Sequence, residues 1–240
     1  MPLKPPPRTL AVLPVKSFGA AKQRLGAQLG TGARQALAQA MFSDVLGSLR
    51  HVDGIEAIAV VTADRVAESA AFGDRVLVLP DTEETGQSQA ALIGVQWALA
   101  HGFERALLVP GDTPLLDPGE VQDLLDIGEE RGLRAVIVPD RHGTGTNALL
   151  LSPPDAMEPS FGPGSRERHV AGAAAAGLQY AVEEAPSLVL DVDTPEDLAE
   201  LAGKLGGQRG HAPMTRGALM QLDRLRVPPP VTADPAPAQV

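Results

Sequence analysis

Three aspartates have the type and spacing that suit metal chemistry. Asp112 follows an apolar run at 106–110, and Asp191 and Asp193 follow a second apolar run at 188–190. We predict that both runs are buried strands of a parallel α/β sheet, which places its ligands outside the carboxyl ends of its strands. Residues two apart on an extended chain point to the same side, so Asp191 and Asp193 share one face. The three carboxylates are therefore suited to hold Mg²⁺ beside a nucleoside triphosphate.

The same two segments have a purely structural alternative. In each of them an aspartate directly precedes Thr-Pro, at 113–114 and at 194–195. Asp or Thr is a favoured helix N-cap, and Pro suits the first helical turn, so either segment alone also predicts a helix start. Two copies of the pattern, both after apolar runs, favour metal binding.

The amino-terminal limb supplies cations. No Asp or Glu precedes Asp44, whereas this limb has six basic residues: Lys4, Arg8, Lys16, Lys22, Arg24 and Arg34. Three of them, at positions 16, 22 and 24, lie in a loop with small residues after the first apolar run, where phosphate can approach closely. A basic limb in an otherwise acidic chain suits a small polyanion better than a nucleic-acid polymer.

Two glycine-rich segments in the second half of the chain offer neutral anion donors. The loop 141–147 contains hydroxyls and glycines, and Phe-Gly-Pro-Gly-Ser at 161–165 precedes a polar helix start. The Gly162 amide and the Ser165 hydroxyl can form an anion site at that helix N-terminus. An ordinary glycine turn with a serine N-cap is the alternative interpretation.

The elements that position these residues alternate between strand and helix. Strands are predicted at 9–15, 55–62, 75–80, 106–110, 134–139, 148–151, 178–182 and 188–190. This alternation predicts an α/β fold with a mostly parallel sheet flanked by helices, in a single domain over 9–205. We predict a flexible lead-in at 1–8 before the domain. The Gly- and Pro-rich tail at 206–240 is predicted to be partly disordered, with one short helix near 215–226.

The composition argues against several classes of function. The 240 residues are 44% hydrophobic and 21% charged, which is typical of a globular protein with a sizeable core. A net charge of −10 and only 3% aromatic residues argue against binding a nucleic-acid polymer. The absence of cysteine excludes disulfides, iron–sulfur clusters and thiolate zinc sites. No apolar run approaches the ~20 residues of a membrane span, so we expect a cytoplasmic protein without membrane contact.

The order of these segments resembles the MobA-like nucleotidyltransferases of Rossmann-like fold, and more narrowly the guanylyltransferases of coenzyme F-420 biosynthesis. Five segments within 10–201 match: 12–25, 110–116, 140–150, 161–165 and 191–198. After the first strand the chain has Pro14-Val15-Lys16. This sequence is similar to the F-420 enzymes and differs from the glycine-rich signature of sugar-nucleotide pyrophosphorylases.

The resemblance implies transfer of GMP from GTP onto the phosphate of phosphoenolpyruvate, which gives enolpyruvyl-diphospho-5'-guanosine and pyrophosphate. The acceptor in archaeal relatives is 2-phospho-L-lactate. By similarity, the acceptor is held by Thr146, Gly162 and Ser165, and Mg²⁺ by Asp112 with Asp191 or Asp193. The implied catalytic residues are Lys22, Arg24 and Asp112. The implied nucleotide contacts are Lys16, Lys22, Arg24, Gly86, Gln87, Ser88 and Gly111.

One departure from the family leaves several alternatives open. Relatives commonly have Gly-Leu-Asn where this chain has Gly86-Gln87-Ser88-Gln89. This segment is expected near the base, so another base or another phosphoacid, such as 3-phosphoglycerate, stays an alternative. Two further alternatives are a catalytically silent nucleotide-binding regulatory module and a glycosyltransferase that uses Asp-x-Asp at 191–193. A homo-oligomer is also left open.

Overall fold

In the computed structural model, residues 6–207 and 210–225 are described, and within these ranges the chain forms seven strands and seven α-helices. The strands are β1 (Thr9–Pro14), β2 (Ala57–Thr62), β3 (Val76–Pro80), β4 (Arg105–Leu108), β5 (Ala135–Pro139), β6 (Thr146–Leu151) and β7 (Tyr180–Val182). The helices are α1 (Thr31–Leu49), α2 (Arg65–Ala70), α3 (Gln87–Ala100), α4 (Pro118–Glu130), α5 (Ser165–Ala175), α6 (Pro195–Gly207) and α7 (Pro213–Leu225).

The strands form one sheet in the order β3-β2-β1-β4-β6-β5-β7. Strand β1 pairs in parallel with β2 and β4, whereas β6 lies antiparallel between β4 and β5. Short apolar runs that are buried on both faces are typical of strands covered by helices on both sides. The predicted mostly parallel α/β sheet is confirmed. Its reversed strand begins at Thr146, which pairs with Pro139 at the carboxyl end of β5.

Helices cover both faces of the sheet. Side chains of α1 and α4, such as Phe42 and Leu124, pack on one face, and α3 packs on the other through Ala91 and Val95. Helix α3 lies very close to β1, because a Cβ at Gly94 would come within 2.3 Å of a Val12 methyl carbon. The absence of a side chain at this position lets the helix rest directly on the central strand.

The predicted strand at 188–190 is wrong. Residues 183–193 contain no strand, although Leu188, Leu190 and Val192 are completely buried. The Asn147 side-chain amide donates to the carbonyl oxygens of Leu188 and Val189, at 2.8 and 3.2 Å. Side-chain and loop contacts thus take the hydrogen bonds that a neighbouring strand would otherwise make, and the apolar side chains are buried without a sheet.

Helix α7 packs on the body of the protein. The Asp44 carboxylate of α1 accepts hydrogen bonds from the Met214 and Thr215 amides, at 3.1 and 2.7 Å. Leu219 and Leu222 pack onto a cluster that includes Met41. The helix begins two residues before the predicted position, and residues 208–209 and 226–240 of the predicted tail lie outside the described ranges. No helix in the described ranges is long and apolar enough to cross a membrane.

Candidate active site

A cavity of about 470 Å³ opens at the carboxyl edge of the parallel strands. Every predicted site residue except Ser88 lines it: Lys16, Lys22, Arg24, Gly86, Gln87, Gly111, Asp112, Thr146, Gly162, Ser165, Asp191 and Asp193. The Ser88 hydroxyl instead accepts a hydrogen bond from the Phe161 amide at 2.8 Å. Ser88 therefore ties the start of α3 to the glycine-rich segment 161–165.

The basic loop, residues 16–25, is anchored from outside the cavity. Its Phe18 amide donates to Asp64 Oδ2 at 2.8 Å, and the Arg34 guanidinium donates to the Ala21 carbonyl at 3.3 Å. Within the loop, Lys22 has a φ of 55°. A left-handed backbone is uncommon for a residue with a side chain and costs about 1–3 kcal/mol, so the surrounding contacts must hold Lys22 in place.

The Lys22 ammonium lies between two of the predicted metal ligands. Its Nζ atom is 2.5 Å from Asp112 Oδ2 and 2.9 Å from Asp193 Oδ1, and its side chain is only 6% exposed. Burial alone would lower the pKa of Lys22, but the two carboxylates outweigh it and keep the pKa above its ordinary value. A fixed positive charge therefore sits where the two acidic segments meet.

The third predicted ligand is Asp191, whose negative charge has less compensation from its surroundings. Burial raises the pKa of Asp191, the nearby Asp112 and Asp193 carboxylates raise it further, and the Asn147 amide at 3.3 Å lowers it only in part. Among the described residues, no three acidic or histidine side chains are arranged closely enough to hold a metal ion by themselves. Carboxylate oxygens are nonetheless the donors that Mg²⁺ prefers, and it is usually held by one or two of them together with substrate phosphates. The residues present fit such a shared site.

The glycine-rich segment 161–165 leads directly into helix α5. Gly162 and Gly164 have φ values of 102° and 72°, a region that glycine occupies without strain. Gly164 is the N-cap, so Ser165 is the first helical residue and not the cap, and it is almost completely buried. The N-terminus of α5 thus lies at the cavity beside Thr146, and its Ser165 and Arg166 amides donate to the Gly162 and Thr144 carbonyls at 3.0 and 3.1 Å.

Sequence reasoning missed three polar residues of this region. Asn147 holds the segment 188–191, His169 is completely buried against Thr146, and Asp81 lines the cavity at the end of β3. Asp81 follows a predicted strand, just as Asp112 does, so its position in the sequence is a signal that could have identified it. Leu188, which Asn147 holds, and Thr146, which His169 contacts, lie more than 20 residues away from these two side chains, and no local pattern reveals either contact.

Comparisons with known proteins identify the family of this chain. The family described as Guanylyl transferase CofC like matches residues 9–213. A phosphoenolpyruvate guanylyltransferase from Conexibacter woesei is 48% identical over 216 residues, which cover 90% of this chain and 97% of that protein. A 2-phospho-L-lactate guanylyltransferase from Methanothermobacter thermautotrophicus is 34% identical, with coverage of 85% and 88%.

The fold also has solved counterparts. A crystal structure from Desulfovibrio desulfuricans G20, provisionally described as a nucleotide-diphospho-sugar transferase, superposes with a TM-score of 0.72. The two chains are 20% identical, and the match covers 90% of this chain and 95% of that one. This likeness concerns the fold. The family match over residues 9–213 and the 48% identity show that this chain belongs to the CofC-like guanylyl transferase family.

Proposed function

We propose that this protein transfers GMP from GTP to the phosphate of phosphoenolpyruvate. The observation that carries the proposal is the Lys22 ammonium between Asp112 and Asp193, in a cavity that also contains Thr146 and Ser165. The cavity thus combines charges for a triphosphate with hydroxyl donors for a small phosphoacid. The 48% identical phosphoenolpyruvate guanylyltransferase supports this choice of acceptor.

The reaction needs no general base. A phosphate monoester has a second pKa of about 6, so at neutral pH its oxygens are already ionised. One of them attacks the α-phosphorus of GTP. A new phosphorus–oxygen bond forms, the bond between the α-phosphorus and the bridging oxygen breaks, and pyrophosphate leaves with the electron pair. The protein's tasks are alignment and neutralisation of negative charge.

The basic loop 16–25 meets the second of these tasks. Lys16, Lys22 and Arg24 all line the cavity and are the cations available to the triphosphate and to the departing pyrophosphate. Lys22 is held on both sides by carboxylates, so its position is fixed before substrate arrives. A donor fixed in advance loses little free energy through reorganisation during the reaction.

Magnesium completes the proposed site. Asp112 and Asp191, with Asp193, are the residues that would hold it. When bound, the ion polarises phosphate oxygens and neutralises the charge that develops on them. The raised pKa of Asp191 indicates a carboxylate that lacks a compensating positive charge, which a divalent cation supplies.

Selection of guanine is assigned to Asp81. Guanine differs from adenine in presenting two donors, N1–H and the 2-amino group, on its pairing edge. Asp81 is buried and lines the cavity, and its Oδ1 atom accepts a hydrogen bond from the Glu84 amide at 3.1 Å. A carboxylate accepts several hydrogen bonds and donates none, so it favours guanine over adenine. Gln87, which also lines the cavity, is the neighbouring polar side chain.

The test is pyrophosphate release by the purified protein with Mg²⁺ and GTP. Phosphoenolpyruvate, 2-phospho-L-lactate and 3-phosphoglycerate are compared as acceptors, with ATP and CTP as base controls. We expect release with GTP and phosphoenolpyruvate, and its loss in Asp112→Asn. Asp123→Asn is the matched control, because Asp123 is exposed on α4 and does not line the cavity.

Each other outcome identifies a different function. Release with 2-phospho-L-lactate or 3-phosphoglycerate instead would keep the transferase and change its acceptor. No release with any pair, from folded protein that still binds GTP, would leave the silent nucleotide-binding module. The cytoplasmic location and the oligomeric state stay predictions.

A further inference from the structure

His169 is a completely buried histidine that contacts Thr146, one of the residues that line the cavity. Its Nδ1 atom is 2.9 Å from Thr146 Oγ1, and its Nε2 atom is 2.8 Å from the Ser160 amide nitrogen. The edge of the Phe161 ring system packs against the imidazole, with a centroid distance of 5.3 Å and an interplanar angle of 76°. The ring is therefore fixed in position and has a polar partner on each nitrogen.

These contacts determine where the imidazole proton lies. A backbone amide only donates, so Nε2 accepts from Ser160 and has no hydrogen. Burial, with a smaller contribution from the adjacent Arg168 guanidinium, lowers the pKa of His169 to about 4. The ring is thus neutral at physiological pH, and its one hydrogen is on Nδ1, directed at the Thr146 hydroxyl oxygen.

The proton on Nδ1 in turn orients Thr146. Because Thr146 Oγ1 accepts from His169, its own hydrogen must be directed at another acceptor. Thr146 is the first residue of β6 and lines the cavity beside Ser165. A hydroxyl held as a donor is suited to a phosphate or carboxylate oxygen, which has no hydrogen to give.

We propose that His169 is a positioning residue that fixes the Thr146 hydroxyl as a hydrogen-bond donor to the anionic acceptor. This inference rests on the proposed function, since it assigns Thr146 to the phosphoacid. His169 itself does not touch the substrate. It is the middle member of a chain of hydrogen bonds that runs from the Ser160 amide, through the imidazole and the Thr146 hydroxyl, to the acceptor.

Two amide substitutions separate the two contacts of the ring. His169→Gln places an amide oxygen near the position of Nε2, so it keeps the bond from Ser160 and loses the donor to Thr146. His169→Asn places an amide nitrogen near the position of Nδ1, so it keeps that donor. We expect His169→Gln to raise the KM for phosphoenolpyruvate about tenfold, with the KM for GTP within about twofold, and His169→Asn to restore most of the loss.

A double-mutant cycle with Thr146→Val decides whether the effect passes through Thr146. In the Thr146→Val background we expect His169→Gln to cause no further rise in the acceptor KM. An equal rise in both backgrounds would overturn the inference, because it would show that His169 acts only through the general packing of this region. Wild-type protein without activity toward any acceptor would instead overturn the proposed function.

Nitrogen NMR of the histidine side chains gives a second measurement that does not depend on activity. The chain has five histidines, and His169→Gln identifies the signals of position 169. We expect a neutral ring with hydrogen on Nδ1 and none on Nε2. A neutral ring with hydrogen on Nε2, or a ring that is charged at pH 7, would overturn the inference even in an active enzyme.

Discussion

The segments 111–114 and 191–195 both contain Asp-Thr-Pro, yet the fold uses them in different ways. The first follows β4 and starts no helix, since the next helix begins at Pro118 with Asp117 as its N-cap. The second follows no strand and does start a helix, where Thr194 and Asp197 exchange reciprocal hydrogen bonds with each other's amides. Such a pair is a capping box.

The two segments nevertheless meet. The Val192 amide donates to the Asp112 carbonyl at 3.3 Å, and the Lys22 ammonium contacts a carboxylate from each. In the second segment the threonine caps the helix while the aspartate before it faces the cavity. Capping and ligand binding are therefore compatible uses of one tripeptide, divided between adjacent side chains.

The largest effect is expected from removal of the charge that joins the segments. Lys22→Ala should lower kcat for pyrophosphate release by about 10²–10³-fold, the usual loss for one fixed donor to a developing negative charge. Lys204→Ala is the matched control, because Lys204 is on α6 and pairs with Glu200 away from the cavity. Equal losses in the two variants would show that the bridge between the segments has no special role.

The next largest effect is on stability, through the contacts by which Asn147 attaches the chain that leads into the segment 191–195. Asn147→Ala removes the donor to the Leu188 and Val189 carbonyls and should lower the free energy of unfolding by about 2 kcal/mol. Asn147→Asp should be worse, because it places a carboxylate against carbonyl oxygens and beside Asp191. Denaturant unfolding measures both. A stable and fully active Asn147→Asp protein would contradict this account of the segment.

A smaller effect is expected from Thr194, which caps α6 and is not itself a proposed metal ligand. Thr194→Ala should cost about 1 kcal/mol of stability through loss of the cap on α6, with little change in kcat. Thr194→Ser keeps the hydroxyl and should behave like the wild type in thermal unfolding. If Thr194→Ala instead reduced the rate as strongly as Lys22→Ala, the division between adjacent side chains would be wrong.

The smallest expected effect is on thermal stability, in the variant Asp191→Asn. Burial and its acidic neighbours raise the pKa of this carboxyl in the folded state, so the ionised form destabilises the fold above that pKa. Asp191→Asn should therefore slightly raise the melting temperature of metal-free protein at pH 7. The gain should disappear as the pH falls below the ordinary carboxyl pKa of about 4. Added Mg²⁺ should stabilise the wild type more than the variant, and thermal scans at both pH values with and without Mg²⁺ test this.

Local sequence predicted most of the sheet because each strand is an apolar run bounded by Pro, Gly or polar residues. The run at 188–190 has the same local pattern and still forms no strand, since its hydrogen-bond partners come from the distant Asn147. The reversal of β6 also has a local signal, because only residues 140–145 join β5 to β6. So short a connection suits antiparallel neighbours, whereas parallel ones need a crossover of a dozen or more residues.

The basic loop 16–25, the three aspartates at 112, 191 and 193, and the glycine-rich segment 161–165 were predicted from sequence because their residue types suit phosphate and metal chemistry, whereas Asp81 was missed. The residues that hold them were not predicted. His169 and Asn147 are uncharged at neutral pH. Their importance depends on partners that only the folded chain brings near. Contacts between distant parts of the chain are what a sequence pattern does not contain.

The reversed strand also has a consequence for engineering. Because β6 begins at the edge where its neighbours β4 and β5 end, the proposed acceptor contacts fall within one continuous stretch, 146–165. The proposed triphosphate and base contacts all precede residue 112. A library restricted to 140–169 therefore explores new phosphoacids while the chain that meets the nucleotide keeps its sequence, so acceptor choice and nucleotide choice are separable design problems.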